Sequence, residues 1–312
     1  MMFGFRDRFT YFQCARCGCL QIATIPPDMT RYYPESYYAY AGDPPRPVGQ
    51  SWNPKKIAGR LRNRYEVLHR GVVGRLLHGV RPEEGVAGCI ARHFPGNSVR
   101  DAGLTVRSRV LDVGCGAGEL LLALQSAGFR HLLGIDQYPA GQTLRRAPLM
   151  ENRRIHEVSG QWDLVMFHHS FEHMADQKGT LGAVVRLLSP GGVCLIRVPV
   201  ASSHAWEHYG VDWVQLDAPR HFFLHTEESL RRLAGDVGLE ISKVVHDSGA
   251  FQFFGSELYR RNIPLFSSDP ADAQARASAF TPEERAAMEQ QARDLNAQRR
   301  GDQAAFYLRK RP

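Results

Sequence analysis

The residues with the clearest capacity for chemistry are Gly114, Gly116 and Gly118, with Asp112 just before them, Cys115 among them, and a second acid, Asp136, eighteen positions after the last glycine. Glycine has no Cβ, so such a run turns through positive φ and lets ligand atoms approach the main chain. A dinucleotide site needs G-x-G-x-x-G, with a pyrophosphate on the helix N-terminus. Here the spacing is G-x-G-x-G, and a carboxylate at the mouth of the turn opposes a pyrophosphate. A ligand with a cationic end suits it better. Asp136 lies at the distance at which an acid accepts hydrogen bonds from ribose hydroxyls in nucleoside-binding α/β folds. A cap or turn role would account for either acid alone, but the pair at this spacing points to ligand contact. Histidines form a second group: His168, His169 and His173 follow one apolar run, and His221 lies in a polar, aromatic stretch. Imidazoles there can exchange protons near neutral pH or simply cap a helix.

These residues need elements to hold them. Arg109 to Val113 reads as a short buried strand and residues 119 to 126 as a helix, so the glycines turn one into the other. His131 to Ile135 and Trp162 to Phe167 are further strands, each leading into the polar residues above. Between Asp136 and Trp162 only Arg154 to Val158 is strand-like. A helix over 177–188 turns at Ser189-Pro-Gly-Gly192 into the strand Val193 to Val198. Thr226 caps a helix that Gly238 ends, Leu239 to Val245 alternates as a strand, and Thr281-Pro-Glu-Glu284 opens a helix to about Gln298. Ala304 to Arg309 is the last strand. Strand and helix in alternation predict an open α/β sheet with its ligand at the carboxyl ends of the strands.

The glycine run and the acid that follows resemble class I S-adenosylmethionine-dependent methyltransferases, over residues 105–312. The resemblance implies a Rossmann-like seven-stranded sheet with its last strand antiparallel and helices on both faces. It implies S-adenosylmethionine as cofactor, held by Asp112, Gly114, Cys115, Gly116, Gly118, Asp136, Gln137, Phe167 and His168. Glu157 is the nearest candidate for the family's adenine-side acid. Loops 202–225 and 251–280 have the composition of acceptor-binding insertions, and His221, with His169 second, is the expected base. Cys14-Ala-Arg-Cys17-Gly18 has the turn of a zinc ribbon and resembles the amino-terminal module of a subgroup that includes sugar C-methyltransferases. That subgroup completes its site with an earlier C-x-x-C pair, which this chain lacks. A zinc ion on Cys14 and Cys17 would need Cys19, a histidine such as His69 or His78, or a second chain. The subgroup's Glu-His base pair corresponds here to Arg220 and His221, so the histidine is present and the glutamate is not.

The 312 residues are 43% hydrophobic, enough for a full α/β core. No apolar run approaches the roughly 20 residues of a membrane span, and the first residues lack a signal-peptide core; a cytoplasmic protein without membrane contact is expected. Six cysteines scattered through strand and turn positions predict reduced thiols. The net charge of +7 comes largely from scattered arginine pairs, which reads as solvated helix faces, so nucleic acid is not an expected partner. Residues 1–40 form a partial zinc-ribbon-like module, and 41–104 a linker and a basic amphipathic helix, Lys55 to His78, that bends or breaks at Gly71 and Gly74 and could cover the cofactor mouth. The expected function is methyl transfer to a small-molecule acceptor such as a sugar or polysaccharide precursor. RNA methylation and a non-catalytic cofactor-binding role are the alternatives.

Overall fold

The computed structural model describes residues 2–33, 54–68, 72–78, 103–137, 150–267 and 269–311. The linker at 41–50, Tyr37, Tyr38, Tyr40, His69, Cys89 and the side chain of His78 lie outside the described residues. In chain order the main elements are β1 (Tyr11–Gln13), β2 (Leu20–Ile22), α1 (Pro54–Leu68), α2 (Val72–His78), β3 (Arg109–Val113), α3 (Glu119–Ser126), β4 (His131–Ile135), β5 (Met150–Glu151), β6 (Trp162–His168), α4 (Gln177–Leu187), β7 (Leu188–Pro199), α5 (His204–Tyr209), β8 (Phe223–Leu224), α6 (Glu227–Asp236), β9 (Leu239–His246), α7 (Phe251–Arg260), α8 (Pro270–Ser278), α9 (Pro282–Ala297) and β10 (Gln303–Lys310).

Seven strands form the main sheet in the order β5-β4-β3-β6-β7-β10-β9. Neighbouring strands from β5 to β7 are parallel, while β10 slots between β7 and β9 antiparallel to both. This is the Rossmann-like seven-stranded sheet that the resemblance implies, and its central strands carry apolar side chains on both faces because helices cover both. Leu111, Val165, Ile196 and Phe306 pack with Leu181 and Val184 of α4 on one side. Val110, Leu164, Met166, Leu195 and Tyr307 pack with Leu121 and Leu124 of α3 on the other. Adjacent residues thus fall to opposite layers, the two-residue period of an extended chain. A third cluster joins Trp213, Val214, Phe253 and Leu295 to Leu20 and Leu224, tying the 202–225 loop to α7, α9 and the amino-terminal hairpin. That hairpin pairs β2 with β8, making a small antiparallel sheet of β1, β2 and β8.

One expectation changes. Arg154 to Val158 is not a strand: Ile155–Glu157 is a 3-10 turn, and the edge strand is Met150–Glu151. The Glu157 carboxylate accepts from the Arg154 N–H at 2.8 Å, closing the segment into a capped turn before it can extend. The amphipathic stretch over 55–78 is two packed helices. A Cβ at Gly74 would stand 2.5 Å from the Leu61 carbonyl oxygen, so the glycine permits their close approach. No helix among the described residues is long and apolar enough to cross a membrane.

Candidate active site

The carboxyl end of β3 runs into the three glycines, all at positive φ: 77° at Gly114, 52° at Gly116 and 75° at Gly118. The N–H groups of Gly114 and Cys115 both donate to the Ile135 carbonyl, at 2.8 and 3.2 Å. A Cβ on Gly114 would lie 2.4 Å from that of Ser170, so the turn leaves no room for another residue. Asp136 accepts from the Gly116 N–H through Oδ2 at 3.0 Å. The acid at the end of β4 therefore fixes the shape of the turn at the end of β3.

A cavity of about 540 Å³ opens there. Gly114, Gly116, Asp136 and Gln137 line it, with Ile155 and His156 beyond the edge strand and His169, Ser170 and His173 beyond β6. Tyr33 and Phe222 bring the amino-terminal segment and the 202–225 loop to the same wall. Of the residues expected at the cofactor, Asp112, Cys115, Gly118, Phe167 and His168 stand off this lining. Asp112 is buried behind the turn, where burial and then the charge of Asp136 push its carboxyl up to about 7. Burial raises the Cys115 thiol as well, reinforced by both acids. Phe167 is wholly buried and meets the Phe171 ring edge-on at 5.5 Å, a core contact. Gly118 sits at the N-cap of α3, and His168 at the end of β6 is partnered in register with Arg197. Glu157 is exposed and engaged with its own turn, and Ile155 and His156 take the cavity wall.

The histidines gather around one carboxylate. Glu172 has no exposed surface, and neither oxygen has a hydrogen-bond partner. His169 Nδ1 is 3.5 Å from Glu172 Oε1, and His221 Nε2 is 3.9 Å from the same oxygen and 3.7 Å from Asp217 Oδ2. Burial works against ionisation of Glu172, but the imidazoles of His169, His173 and His221 around it outweigh burial and hold the carboxyl down at about 2. Burial drives the His221 imidazole down to about 4 against the opposing pull of Asp217, so this ring is neutral at pH 7. His221 does not reach the cavity; its Nδ1 donates to the Gln215 carbonyl at 2.7 Å. His169 does reach it, in a left-handed conformation with φ 51°, and its Nε2 accepts from Arg197 Nη1 at 3.0 Å. Such strain in a non-glycine residue persists where the surroundings over-determine it. Glu172 and Ser170 were not singled out in the sequence. The sign available was a carboxylate with imidazoles three before and one after it, but its burial arises from β8 and the 202–225 loop.

Arg220 occupies the position of the missing glutamate and does different work. Its guanidinium pairs with Asp217, donates to the Tyr32 carbonyl at 3.3 Å and lies over the Phe3 ring at 5.0 Å. It pins the amino-terminal segment. At Cys14 and Cys17 the chain forms a tight turn, with the Gly18 N–H donating to the Cys14 carbonyl at 2.7 Å. Cys19 is buried, its thiol pushed up to about 12 first by burial, and among the described residues Cys14 and Cys17 join no set of three metal-ligating groups. The described residues offer half of a tetrahedral zinc site and do not fit a bound structural zinc. Cys14, Cys17, Cys19, Cys115 and Cys194 are all free thiols.

A family profile described as a methyltransferase domain matches residues 90–244. The chain is 34% identical to the ubiquinone biosynthesis O-methyltransferase of Aromatoleum aromaticum over 30% of its own length and 44% of that protein, so this match spans less than half of the relative. It is 30% identical to the protein of the same name from Pseudomonas paraeruginosa over 46% of its own length and 69% of that protein. A solved structure from Thermotoga maritima, described as an S-adenosylmethionine-dependent methyltransferase and possible histamine N-methyltransferase, aligns over 82% of this chain and 92% of that one, with a TM-score of 0.43 and 13% identity. With the glycine turn closed on Asp136 at the carboxyl edge of a seven-stranded sheet, and the Pseudomonas paraeruginosa relative matched over more than two thirds of its length, the chain belongs to the class I S-adenosylmethionine-dependent methyltransferases.

Proposed function

We propose that the protein transfers a methyl group from S-adenosylmethionine to a hydroxyl of a small-molecule acceptor, a sugar or polysaccharide precursor. One observation carries this reading: a single cavity of about 540 Å³ is lined both by the glycine turn with Asp136 and by His169 and His173. That volume lies within the range of small-molecule sites, with donor-binding and polar groups on the same wall. O-methylation of a small molecule is also what the relatives' names describe. The Cys14-Ala-Arg-Cys17 turn resembles that of sugar C-methyltransferases, and the hairpin that carries it pairs directly with β8 beside the cavity wall at Phe222, which supports a sugar-type acceptor.

The donor fits the residues present. Side-chain-free backbone at Gly114 and Gly116 faces the cavity, Asp136 offers an acceptor to ribose hydroxyls, and the local acids suit a ligand of positive charge. S-adenosylmethionine supplies an activated methyl, so the protein's task is alignment, which can contribute roughly 7–11 kcal/mol. Asp136 and the turn orient the donor. His169, one of three imidazoles lining the cavity with His156 and His173, takes the acceptor's proton on Nε2, exchanging its Arg197 contact for the acceptor hydroxyl, a role worth about 10²–10⁴ in rate. His221, the first candidate from the sequence, acts from behind the wall by facing Glu172.

Incubation with methyl-labelled S-adenosylmethionine and separate fractions of nucleotide-linked sugars, polysaccharide precursors and tRNA tests the reading. Label in a sugar-containing fraction is expected. Label confined to tRNA would replace the proposal with RNA methylation, and no label in any fraction would overturn it. Asp136→Ala is expected to weaken donor binding by about 10- to 100-fold in calorimetry, the loss of one charged hydrogen-bonding group. His169→Ala should keep donor affinity and lose turnover.

A further inference from the structure

We propose that Glu172, His173 and His221 form a binding site for one divalent transition-metal ion at the wall of the donor cavity. One ligand atom from each lies within 4.8 Å of the other two. Bonds of about 2.1 Å to a shared ion place ligands roughly 3.4 Å apart, so side-chain adjustments of about an ångström close the set. The 3.9 Å from His221 Nε2 to Glu172 Oε1 is already near that spacing.

Three features point to an ion rather than a packed polar cluster. First, Glu172 is wholly buried and both its oxygens lack a hydrogen-bond partner, a costly state for a carboxylate unless a cation meets it. Second, both imidazoles are oriented by backbone. His173 Nδ1 stands 2.8 Å from the Arg220 carbonyl and His221 Nδ1 2.7 Å from the Gln215 carbonyl. A carbonyl can only accept, so each ring carries its proton on Nδ1 and its lone pair on Nε2. Metal-ligating histidines are held in this way, with the second nitrogen donating to a carbonyl or carboxylate. Third, His221 Nε2 then turns a lone pair toward Glu172 and, at 3.7 Å, toward Asp217, an arrangement in which electron-rich atoms face each other until a cation sits between them. Two imidazoles and one carboxylate suit zinc, cobalt, nickel or ferrous iron in preference to magnesium or calcium.

Such a site is not saturated by three protein ligands. His173 borders the cavity, so a further ligand position there can take an oxygen of the acceptor. A bound metal would lower the pKa of that hydroxyl and fix its direction, easing proton removal by His169. This role rests on the methyl-transfer reading; the site itself does not.

The test uses cobalt(II) as probe on full-length protein treated with a chelator, in a Cys14→Ser/Cys17→Ser background that removes the thiol pair. One equivalent of cobalt with visible d–d absorption is expected. Glu172→Gln and His173→Gln should each weaken binding at least tenfold, while His208→Gln, on the exposed face of α5, should leave it unchanged. Calorimetry with S-adenosylhomocysteine on each variant reports folding: a variant that loses cobalt and keeps this ligand supports the site, and if Glu172→Gln unfolds, His173→Gln decides. Absence of a cobalt spectrum in protein that binds S-adenosylhomocysteine would overturn the proposal, as would a spectrum indifferent to both substitutions. Cobalt binding without methyl transfer to any fraction would keep the site and remove only its proposed role.

Discussion

A buried carboxylate is set by what meets it in the interior, and this protein shows opposite outcomes within one fold. Imidazoles surround Glu172 and hold its carboxyl down, whereas burial lifts Asp302 to about 6 despite the Trp213 Nε1–H donating to its Oδ2 at 2.9 Å. For Asp302 the folded value lies above the unfolded 3.8. The folded chain therefore holds a proton between those values that the unfolded chain has released. Stability from this residue is present at low pH and is lost as pH rises through about 6. Asp302→Asn should stabilise the protein by on the order of 2–3 kcal/mol at pH 8, with the gain shrinking toward pH 4, as measured by urea unfolding at both ends. Equal stability of the two proteins at pH 8 would refute this account. The placing of Asp136 was legible in sequence because one strand, one turn and one helix set its distance from the glycines, while its contact with the Gly116 N–H is seen only in the fold. Neither Glu172 nor Asp302 could be read that way, since their surroundings come from elements far away in the chain.

Elements held by local chemistry were legible, and those decided by distant partners were not. The Thr226 N-cap and the Thr281 capping box form as the sequence predicts, the Thr281 Oγ1 accepting from the Glu284 N–H at 3.2 Å. The segment after the edge strand turned instead of extending because Glu157 caps it, an i to i+3 contact that a strand pattern hides. Most informative is the amino-terminal hairpin, which read as a module of its own and whose β2 pairs with β8 from the 202–225 loop. The Thr226 hydroxyl donates to the Cys17 carbonyl at 2.6 Å, and Tyr11 Oη to the His221 carbonyl at 2.8 Å. Arg220 completes the join from the core side. Arg220→Leu leaves Asp217 buried without its guanidinium and is expected to cost about 3–5 kcal/mol. Adding Asp217→Asn to it should recover part of the loss, because the buried charge goes too. A thermal scan showing no drop for Arg220→Leu would contradict the pinning role.

For the molecule as a whole, the cavity links donor binding to folding. A ligand that binds only the native state at 100 times its Kd adds about 2.7 kcal/mol. Saturating S-adenosylhomocysteine should thus raise the melting temperature of the wild-type chain, and the same concentration should do little for Asp136→Ala. An equal rise in both would detach Asp136 from the donor site. The sequence by itself determined the seven-stranded sheet, the glycine turn and the acid that closes on it. The individual strands, the turn and the placing of the acid follow from periodicity and spacing within some thirty residues, where the geometry of strand, turn and helix leaves little freedom, and the number of strands follows from the family resemblance. Only the tertiary structure decided that His169 faces the cavity while His221 stands behind it, that Arg220 is a pin, and that one buried carboxylate sits among three imidazoles. Those outcomes depend on which distant segments share a wall, and burial, which sets the charge of every group there, is a property of the packed chain.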